Sequence, residues 1–528
     1  MVTQNDLYLG LDFSTQQLKG VIINGEYKIL HDAFVEFDVD LPEFRTHKGV
    51  VRGAKNTVSA PVLMWVKALD MLLEKLRICG ADFSSVVAIS GCAQQHGTVY
   101  WATGAQDVLK SLTEDYFLHT QLASCFSINN SPIWMDSSTK DECIALEQAI
   151  GGPLEVAKIT GSKAYERFSA VQIAKIWKSK PTAYKNTERI SLISSFACSL
   201  FLGRYAPIDL SDGSGMNLLD INTKKWSSKC IQATAPDLEN KLGDPVPTSE
   251  LLGSISPYFC ERFGFSEECK IFPFTGDNPD SLAGMCLTSN DIGISLGTSD
   301  VLMSWLDEPK VLEEGHILIN PISSDKYMAM VGFKNGSLTR ERIRNMYSID
   351  DWTEFNRLLD STPRGNFGYL GLYYDVKEIF PNIEGNYKYD AAGNAIDKFP
   401  SSEIEIRALI EGQTLSKRAM IEHMGVHVGD NTKIIVTGGA SRNESILQVI
   451  ADVFGAPVYK TVYANSAALG SAYRAANCSS DCGDRNALPD SGHNLILVRK
   501  PYDDCHQVYS PLLTRYKNII ENLLNKGN

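Results

Sequence analysis

Two short stretches of this chain share one form, and they restrict its fold more than anything else in the sequence. Leu7–Lys19 reads LYLGLDFSTQQLK and Asp291–Asp300 reads DIGISLGTSD. Each is an apolar, β-rich run that ends in small, hydroxylated or acidic residues. In the first, Tyr8, Leu9 and Leu11 lead to Asp12, Ser14 and Thr15, and the chain resumes as LKGVII. In the second, Ile292, Ile294 and Leu296 lead to Gly297, Thr298 and Ser299, and the chain resumes as VLMSW. Strand, polar turn, strand predicts a hairpin. Such a turn lets backbone N–H groups and hydroxyls converge on an anion such as a phosphate. One copy is often no more than a turn. Two copies about half a chain apart predict two similar domains that face each other, each lending a loop to one nucleotide.

A length of 528 residues accommodates two or more domains, and 44% hydrophobic with 21% charged residues is ordinary for a globular protein. The net charge of −13 argues against a general nucleic-acid or anionic-membrane partner, so an anionic substrate needs a locally positive pocket. The start MVTQNDLYLG has no basic segment followed by an apolar one, and no run of 18 apolar residues exists, so neither a secretory signal nor a membrane span is expected. The 12 cysteines include no C-x-x-C pair. The nearest two, Cys478 and Cys482, lie in a polar stretch, and free cytosolic thiols are expected rather than zinc or redox chemistry.

Along the chain, LYLGLDF, LKGVIIN and KILHDAFVEF read as strands, with a turn at Asn24-Gly25. Residues 61–79 carry apolar residues at helical spacing, and Gly80 suits the following C′ position. VVAISG (86–91) reads as a buried strand that delivers Gln94, Gln95, His96 and Gly97 from its C-terminal end, where ligands of α/β sheets bind. KDECIALEQAI and FSAVQIAKIW read as helices, and residues 189–203 suit a buried helix or a strand–helix pair. Residues 204–270 read as a peripheral, turn-rich region, and residues 381–401 as a surface loop. Ser402-Glu403-Ile404-Glu405 offers a capping box at the start of a long helix. KIIVTGGA, ESILQVIADVFG, APVYKTV and NSAALGSAYRAAN then alternate strand and helix, as a parallel sheet requires.

Several groups carry candidate chemistry. Asp12, Ser14, Thr15 and Lys19 suit a Mg²⁺-nucleotide: the carboxylate orients metal-bound water, the hydroxyls hold phosphate and Lys19 neutralises charge spread over the phosphoryl oxygens. The alternative is a solvated turn. In FTGDNPDSLAG, Asp277 is placed to accept a proton from an attacking hydroxyl and Asn278 to bind a neighbouring one. The same residues also suit an Asx-capped helix start. His96 is either a polyol ligand or a structural histidine. Thr437-Gly438-Gly439 is a strand-to-helix turn without the Walker or full Rossmann spacing, open enough for a purine or ribose. His423 and His427 lie four apart, but Gly425 interrupts the helix and the glutamate of a zinc-protease motif is missing, so no zinc site is expected.

Taken in order, these motifs resemble the FGGY family of carbohydrate kinases over nearly the whole chain. DFSTQQLK resembles its first phosphate motif, ISLGTSD its second, IVTGGASRN its adenosine motif, and EIRALIEG and NSAALGSAY two later helices. QQHG, SPIWMDSST, LSDGSGMNLLDI and FTGDNPDSLAGM are similar to the eukaryotic branch that acts on D-xylulose, whereas an Arg-Glu pair in place of Gln95-His96 would mark glycerol kinases. The chain departs from many bacterial members, which have Trp-Asn-Asp-x-Arg where it has Trp134-Met-Asp136-Ser-Ser.

The resemblance implies an α/β protein of two actin/hexokinase-like (ribonuclease H-like) ATPase domains, 1–290 and 291–528, with ATP and sugar in the cleft. It implies phosphoryl transfer from ATP to the sugar's terminal hydroxyl, with Mg²⁺. Asp277 is then the general base, and His96, Arg167, Asp277 and Asn278 bind sugar, Arg167 replacing the missing arginine. Asp12 supports the metal, and Thr15, Lys19, Gly297 and Thr298 surround the phosphates. Gly438, Gly439 and Asn443 sit at the adenosine end, with Trp352 either stacked on adenine or simply a buried helix residue. The expected protein is a cytoplasmic monomer or homodimer. A kinase for another ketopentose, a polyol or glycerol and a non-catalytic sugar or ATP sensor are the alternatives, and an intact Asp277 argues against the sensor.

Overall fold

The first of the two stretches forms a strand at the centre of a sheet, β1 (Leu7–Phe13), every residue of which is buried in the computed structural model, which describes residues 6–349, 351–479 and 495–527. It pairs antiparallel with β2 (Gln17–Asn24), which pairs in turn with β3 (Ile29–Glu36). On its other side β1 runs parallel to β4 (Val86–Ala93). Short strands β5 (Gly253–Ser254), β6 (Lys270–Ile271) and β7 (Thr275–Gly276) complete the sheet beyond β4.

The second stretch repeats the plan. β8 (Ile292–Leu296) pairs antiparallel with β9 (Asp300–Leu306) and runs parallel to a later strand, as β1 does with β2 and β4. With β10 (His316–Ile319), β11 (Tyr327–Phe333), β12 (Ile434–Thr437), β13 (Val458–Thr461) and β14 (Leu495–Arg499), the order is β10-β11-β9-β8-β12-β13-β14. The resulting fold is α/β and two-domain, and both polar turns lie at the C-terminal ends of the central strands.

Helices cover the sheets. In the first half these are α1 (Val62–Ile78), α2 (Ser169–Ser179), α3 (Ile193–Leu202) and α4 (Asp277–Gly284). The second half adds α5 (Ser337–Met346), α6 (Trp352–Asp360), α7 (Ser402–His423), α8 (Glu444–Phe454) and α9 (Ser466–Ser479). The apolar run at 189–203 is a strand–helix pair, Thr187–Leu192 followed by the wholly buried α3. Gly80, just past α1, has a φ of +91°, the left-handed conformation expected of a helix-ending glycine.

Two local expectations are corrected. The capping box at Ser402 does not form: Ser401 is the N-cap, without a side-chain cap bond. Glu405 is instead buried and taken by the Lys388 ammonium at 2.7 Å and the hydroxyls of Tyr373 and Tyr347. Residues 381–401 are not all loop, because Gly385–Tyr389 pairs with Leu370–Tyr374. The alternation of Tyr387 and Tyr389 supports that strand against the Gly, Asn and Asp around it. Cys482 lies outside the described residues, and Cys478 is buried. Among the described residues no cluster of His, Cys, Asp and Glu suits a metal ion, and His423 stacks on Phe380 at 5.8 Å.

One helix joins the halves. α9 lies between β13 and β14 of the second sheet in sequence, yet it packs on β1, β4 and α4 of the first. Its small residues permit the approach: a Cβ added at Gly470 would meet the Asp280 carbonyl at 1.9 Å, and one at Gly284 would meet the Ser466 carbonyl at 1.8 Å. Arg474, itself fully buried, ion-pairs with Asp280 and donates to the carbonyls of Pro273 at 3.2 Å and Gly91 at 3.1 Å. Ser471 adds a hydroxyl bond to Asp280. Removing one member of such a pair strands a buried charge. Arg474→Met is therefore expected to lower unfolding free energy by about 3–5 kcal/mol, and Arg474→Met with Asp280→Asn to recover part of that loss, as read by denaturant titration.

Candidate active site

The loops of the two sheets meet at two neighbouring cavities. The smaller, about 230 Å³, is lined by Asp12, Lys19, Asp277, Asn278, Thr437 and Gly438 among others. The larger, about 590 Å³, is lined by Gly297, Thr298, Arg340, Trp352, Gly439 and Asn443 among others. Gly438 and Gly439 are consecutive, so the turn after β12 borders both. Of the residues singled out from sequence, ten therefore line one continuous cleft region, while Thr15, His96 and Arg167 line neither cavity.

Asp12 and Asp277 dominate the smaller cavity. Asp12 ends β1 and is buried. Its Oδ2 accepts from Ser14 Oγ at 2.5 Å and from the Lys19 ammonium at 3.2 Å, a pairing set by the β1–β2 register that places these residues opposite each other. Its Oδ1 is buried without a hydrogen-bond partner among the described residues. A free, desolvated carboxylate oxygen beside a nucleotide-sized cavity fits a Mg²⁺ ion, which typically takes one or two carboxylates together with substrate phosphates.

Asp277 opens α4, but it is not a cap in the expected sense. Gly276 is the N-cap, and Asp277 Oδ1 accepts from the adjacent Asn278 N–H at 2.9 Å. Burial and then the charge of Asp12 push its carboxyl up to about 7, against the pull of the Asn278 amide and Lys19. A carboxyl raised toward neutral pH by burial and a neighbouring charge is suited to taking up a proton.

Behind this pair lie His96 and Asn278, joined by residues the sequence reading did not select. Asn278 Nδ2 donates to Gln95 Oε1 at 3.1 Å, and Gln95 Nε2 faces Asp212 Oδ1 at 3.5 Å. The carbonyl of Gly215 lies 2.8 Å from His96 Nδ1. A carbonyl can only accept, so Nδ1 carries the proton and Nε2 is left as an acceptor. Burial and the Arg167 charge push His96 down to about 3, so it is neutral. Its φ of +71° is strained for a histidine, and its ring stacks on Phe168 at 4.2 Å. One segment, Asp212–Gly215, thus fixes both the Gln95 amide and the His96 tautomer. The signal was present in the sequence as LSDGSGMN, but its one buried acid and its glycines show no role until folded.

Arg167 sits beside Phe168. Burial holds its guanidinium below the usual range, Tyr165 and Glu166 oppose that, and it makes no hydrogen bond among the described residues. A desolvated, unbonded guanidinium is suited to a polar ligand. The Thr15 hydroxyl accepts from the Trp134 indole N–H at 2.9 Å and lies 3.5 Å from Gln94 Oε1.

On the nucleotide side, the turn carrying Gly297 and Thr298 is held from below by Asp300. Burial raises its carboxyl, but Lys417 at 2.9 Å and Arg340 at 3.1 Å outweigh that and hold it below the usual carboxylate range. Asn443 lines the cavity, yet its side chain is spent on structure. Oδ1 caps α8 through the Ile446 N–H at 3.1 Å, and Nδ2 donates to Asn356 at 2.7 Å. Trp352 is half-buried, edge-on to Phe355 at 5.1 Å, with the Arg344 guanidinium 4.9 Å from its ring centre.

Matched sheets, a lifted carboxyl where they meet and a glycine-bordered cavity define a two-domain α/β phosphotransferase. The FGGY family of carbohydrate kinases matches twice, its N-terminal domain over residues 127–284 and its C-terminal domain over residues 292–478. A xylulose kinase of Rattus norvegicus is 51% identical over 98% of this chain and 97% of its own, and xylulose kinase 2 of Arabidopsis thaliana is 45% identical over 90% and 87%. The crystal structure of a xylulose kinase from Rhodospirillum rubrum superposes with a TM-score of 0.82 at 13% identity, covering 98% of this chain and 99% of that one. The chain belongs to the FGGY family of carbohydrate kinases.

The two glycines of the turn after β12 should separate experimentally. Gly438 has a φ of +84°, and a Cβ there would meet the Leu296 carbonyl at 2.5 Å, whereas a Cβ on Gly439 meets nothing within 4 Å. Gly438→Ala is expected to lower the melting temperature. Gly439→Val is expected to melt like the parent while weakening ATP binding by calorimetry and sparing sugar binding, since its side chain enters open cavity.

Proposed function

We propose that this protein transfers the γ-phosphoryl group of ATP to the terminal hydroxyl of D-xylulose, giving D-xylulose 5-phosphate and ADP. The sugar is assigned from the near-full-length identity to the rat and Arabidopsis xylulose kinases. The observation that carries the chemistry is the Asp277 carboxyl, raised to about 7 in the cavity that Asp12 and Lys19 share. A base works best when its pKa lies near the working pH.

In this reading the sugar lies against His96, Arg167, Asp277 and Asn278. His96 Nε2 accepts one hydroxyl, the Asn278 amide holds another and Arg167 donates. Asp277 removes the proton of the terminal hydroxyl as its oxygen forms a bond to the γ-phosphorus and the bond to the ADP oxygen breaks. Lys19 and the turn at Gly297-Thr298 offset the negative charge of the phosphates, and Thr15 steadies the cleft wall through Trp134. Gly438, Gly439 and Trp352 border the adenosine, with Asn443 acting through the helix it caps. Mg²⁺, when bound, would neutralise phosphate charge, with Asp12 Oδ1 as its protein ligand. Closing of the halves excludes water that would otherwise hydrolyse ATP. Eleven free cysteines among the described residues fit a reducing compartment, and we assign the enzyme to the cytoplasm as a monomer or homodimer.

A coupled ADP-release screen across pentuloses, polyols and glycerol tests the substrate. Xylulose should be preferred; a glycerol or ribulose optimum would displace it, and flat rates for every sugar would favour a sensor. His96→Ala should raise the sugar KM far more than the ATP KM.

Asp277→Asn tests the base. It should bind both substrates and lose about 10²–10⁴-fold in kcat. In the parent, kcat/KM should fall as pH drops below about 7, the value to which Asp277 is raised, while neutral His96 contributes no step there. The stability effect runs oppositely. A carboxyl whose folded pKa is raised stabilises the fold at low pH and loses that contribution as pH rises from its ordinary value near 4 through about 7. Asp277→Asn should therefore melt no lower than the parent at pH 8. A stable variant keeping more than about a tenth of kcat would exclude the base role.

A further inference from the structure

A titratable side chain from the other half of the protein packs against the segment that carries Arg167. His316, the first residue of β10, is buried, and its Nδ1 lies 3.0 Å from the Ser162 hydroxyl. Its ring meets Tyr165 edge-on at 4.8 Å and Phe168 at 5.2 Å. Ser162, Tyr165 and Phe168 are the segment that carries Arg167, and Phe168 is the ring on which His96 stacks.

The strand around it is fastened to the same parts of the first half. The Ile317 N–H donates to the Gly161 carbonyl at 2.9 Å, the Ile319 N–H to Ser214 Oγ at 3.0 Å, and Ser211 Oγ to the Ile319 carbonyl at 2.6 Å. Ser211 precedes, and Ser214 lies within, the Asp212–Gly215 segment that orients Gln95 and His96. β10 is the edge strand of the second sheet, three strands from β8. His316 pairs with Met330, Met330 with Met303 and Met303 with Gly293, so a continuous rank of paired residues runs to the strand that ends in the Gly297-Thr298 turn.

We propose that His316 is a positioning residue of the sugar pocket, supplied by the second domain, that holds the Arg167 segment and couples sugar binding to the sheet bearing the second phosphate turn. The inference rests on the sugar-kinase reading above. A sugar that orders Arg167 and His96 favours the docked position of β10. The same docked sheet presents Gly297 and Thr298 to the nucleotide, so each ligand favours the arrangement the other needs. An ordinary packing histidine would support the fold without linking the two affinities.

Calorimetry decides between these roles. Xylulose and a non-hydrolysable ATP analogue are titrated singly and together into the parent, His316→Gln and Ser162→Ala, with melting temperature as a folding control. In the parent each ligand should tighten the other by about 5–150-fold. Both variants should lose most of that factor and bind the sugar more weakly. Their affinity for the analogue without sugar should stay within about two-fold of the parent, well below the coupling being tested. Ser162→Ala removes a single hydroxyl and serves if the His316 variant unfolds. Parental coupling in a folded variant, an equal loss for analogue alone, or no coupling in the parent would overturn the proposal. If xylulose does not bind the parent, the substrate reading fails instead, and the titrations with the sugar selected by the ADP-release screen still test His316.

Discussion

The buried pair Arg474–Asp280 holds the architecture at its most sensitive point. Asp280 lies one helical turn beyond Asp277, so the arginine clamps the helix whose first residue is the proposed base. The glycine crossing of α4 and α9 sets how deeply that helix sits, because no Cβ fits at Gly470 or Gly284. A helix from late in the chain thus fixes the proposed base from the middle of it. A buried ion pair is a poor source of net stability. Its value here is geometric: four donor contacts from one guanidinium, to Asp280 and the backbone carbonyls of Pro273 and Gly91, leave α4 little freedom to rotate.

Acidic residues are concentrated where the fold can least afford free charge. Asp12 is buried and Asp277 half-buried at the cleft, and Asp209 and Asp212 are fully buried. Burial pushes Asp209 up to about 7 against the pull of Arg474, and burial with the charge of Asp209 pushes Asp212 well above the usual carboxylate range. Thr275 Oγ1, next to Gly276, donates to Asp209, while Ser194 and Gln95 take Asp212. The acids therefore brace the two segments that meet at the cleft, β7 leading into α4 and the Gln95–His96 turn after β4. Such concentrations of desolvated carboxyls are found where pKa values must be tuned, and they oppose folding unless neighbouring donors compensate.

Much of this was legible in the sequence where local pattern decides structure. The alternation in β1 and β8, their polar turns, the helix of residues 62–78 with its closing glycine and the strand–turn–helix at Gly438 all follow from periodicity and turn chemistry. What failed did so where tertiary partners outbid local ones. Glu405 left its capping box for Lys388 and two tyrosines, and Gly385–Tyr389 paired as a strand within a stretch that reads as loop. Gln95 and Asp212 were quoted but given no role, because an amide and a carboxylate 117 positions apart show no partnership until the chain folds. His316 stands in HILIN, a plain strand pattern, and only the docking of β10 against Ser162 and Phe168 gives it a setting.

The departure at Trp134-Met-Asp136 shows how one position can change its work without emptying the site. Asp136 points inward: Val58 N–H, Ser138, Gln172 and Lys175 at 3.1 Å occupy its oxygens. Burial would raise its carboxyl, and those donors outweigh it. Gln172 also donates to the Glu166 carbonyl at 2.8 Å, and Thr139 does the same at 2.6 Å. The residue after Glu166 is Arg167. The carboxylate and α2 therefore hold the backbone immediately before the arginine, and an arginine two positions beyond Asp136 is not required for a guanidinium to reach this side of the cleft. The buried network that begins at Asp136 thus holds the backbone in front of Arg167, the cation proposed for the sugar.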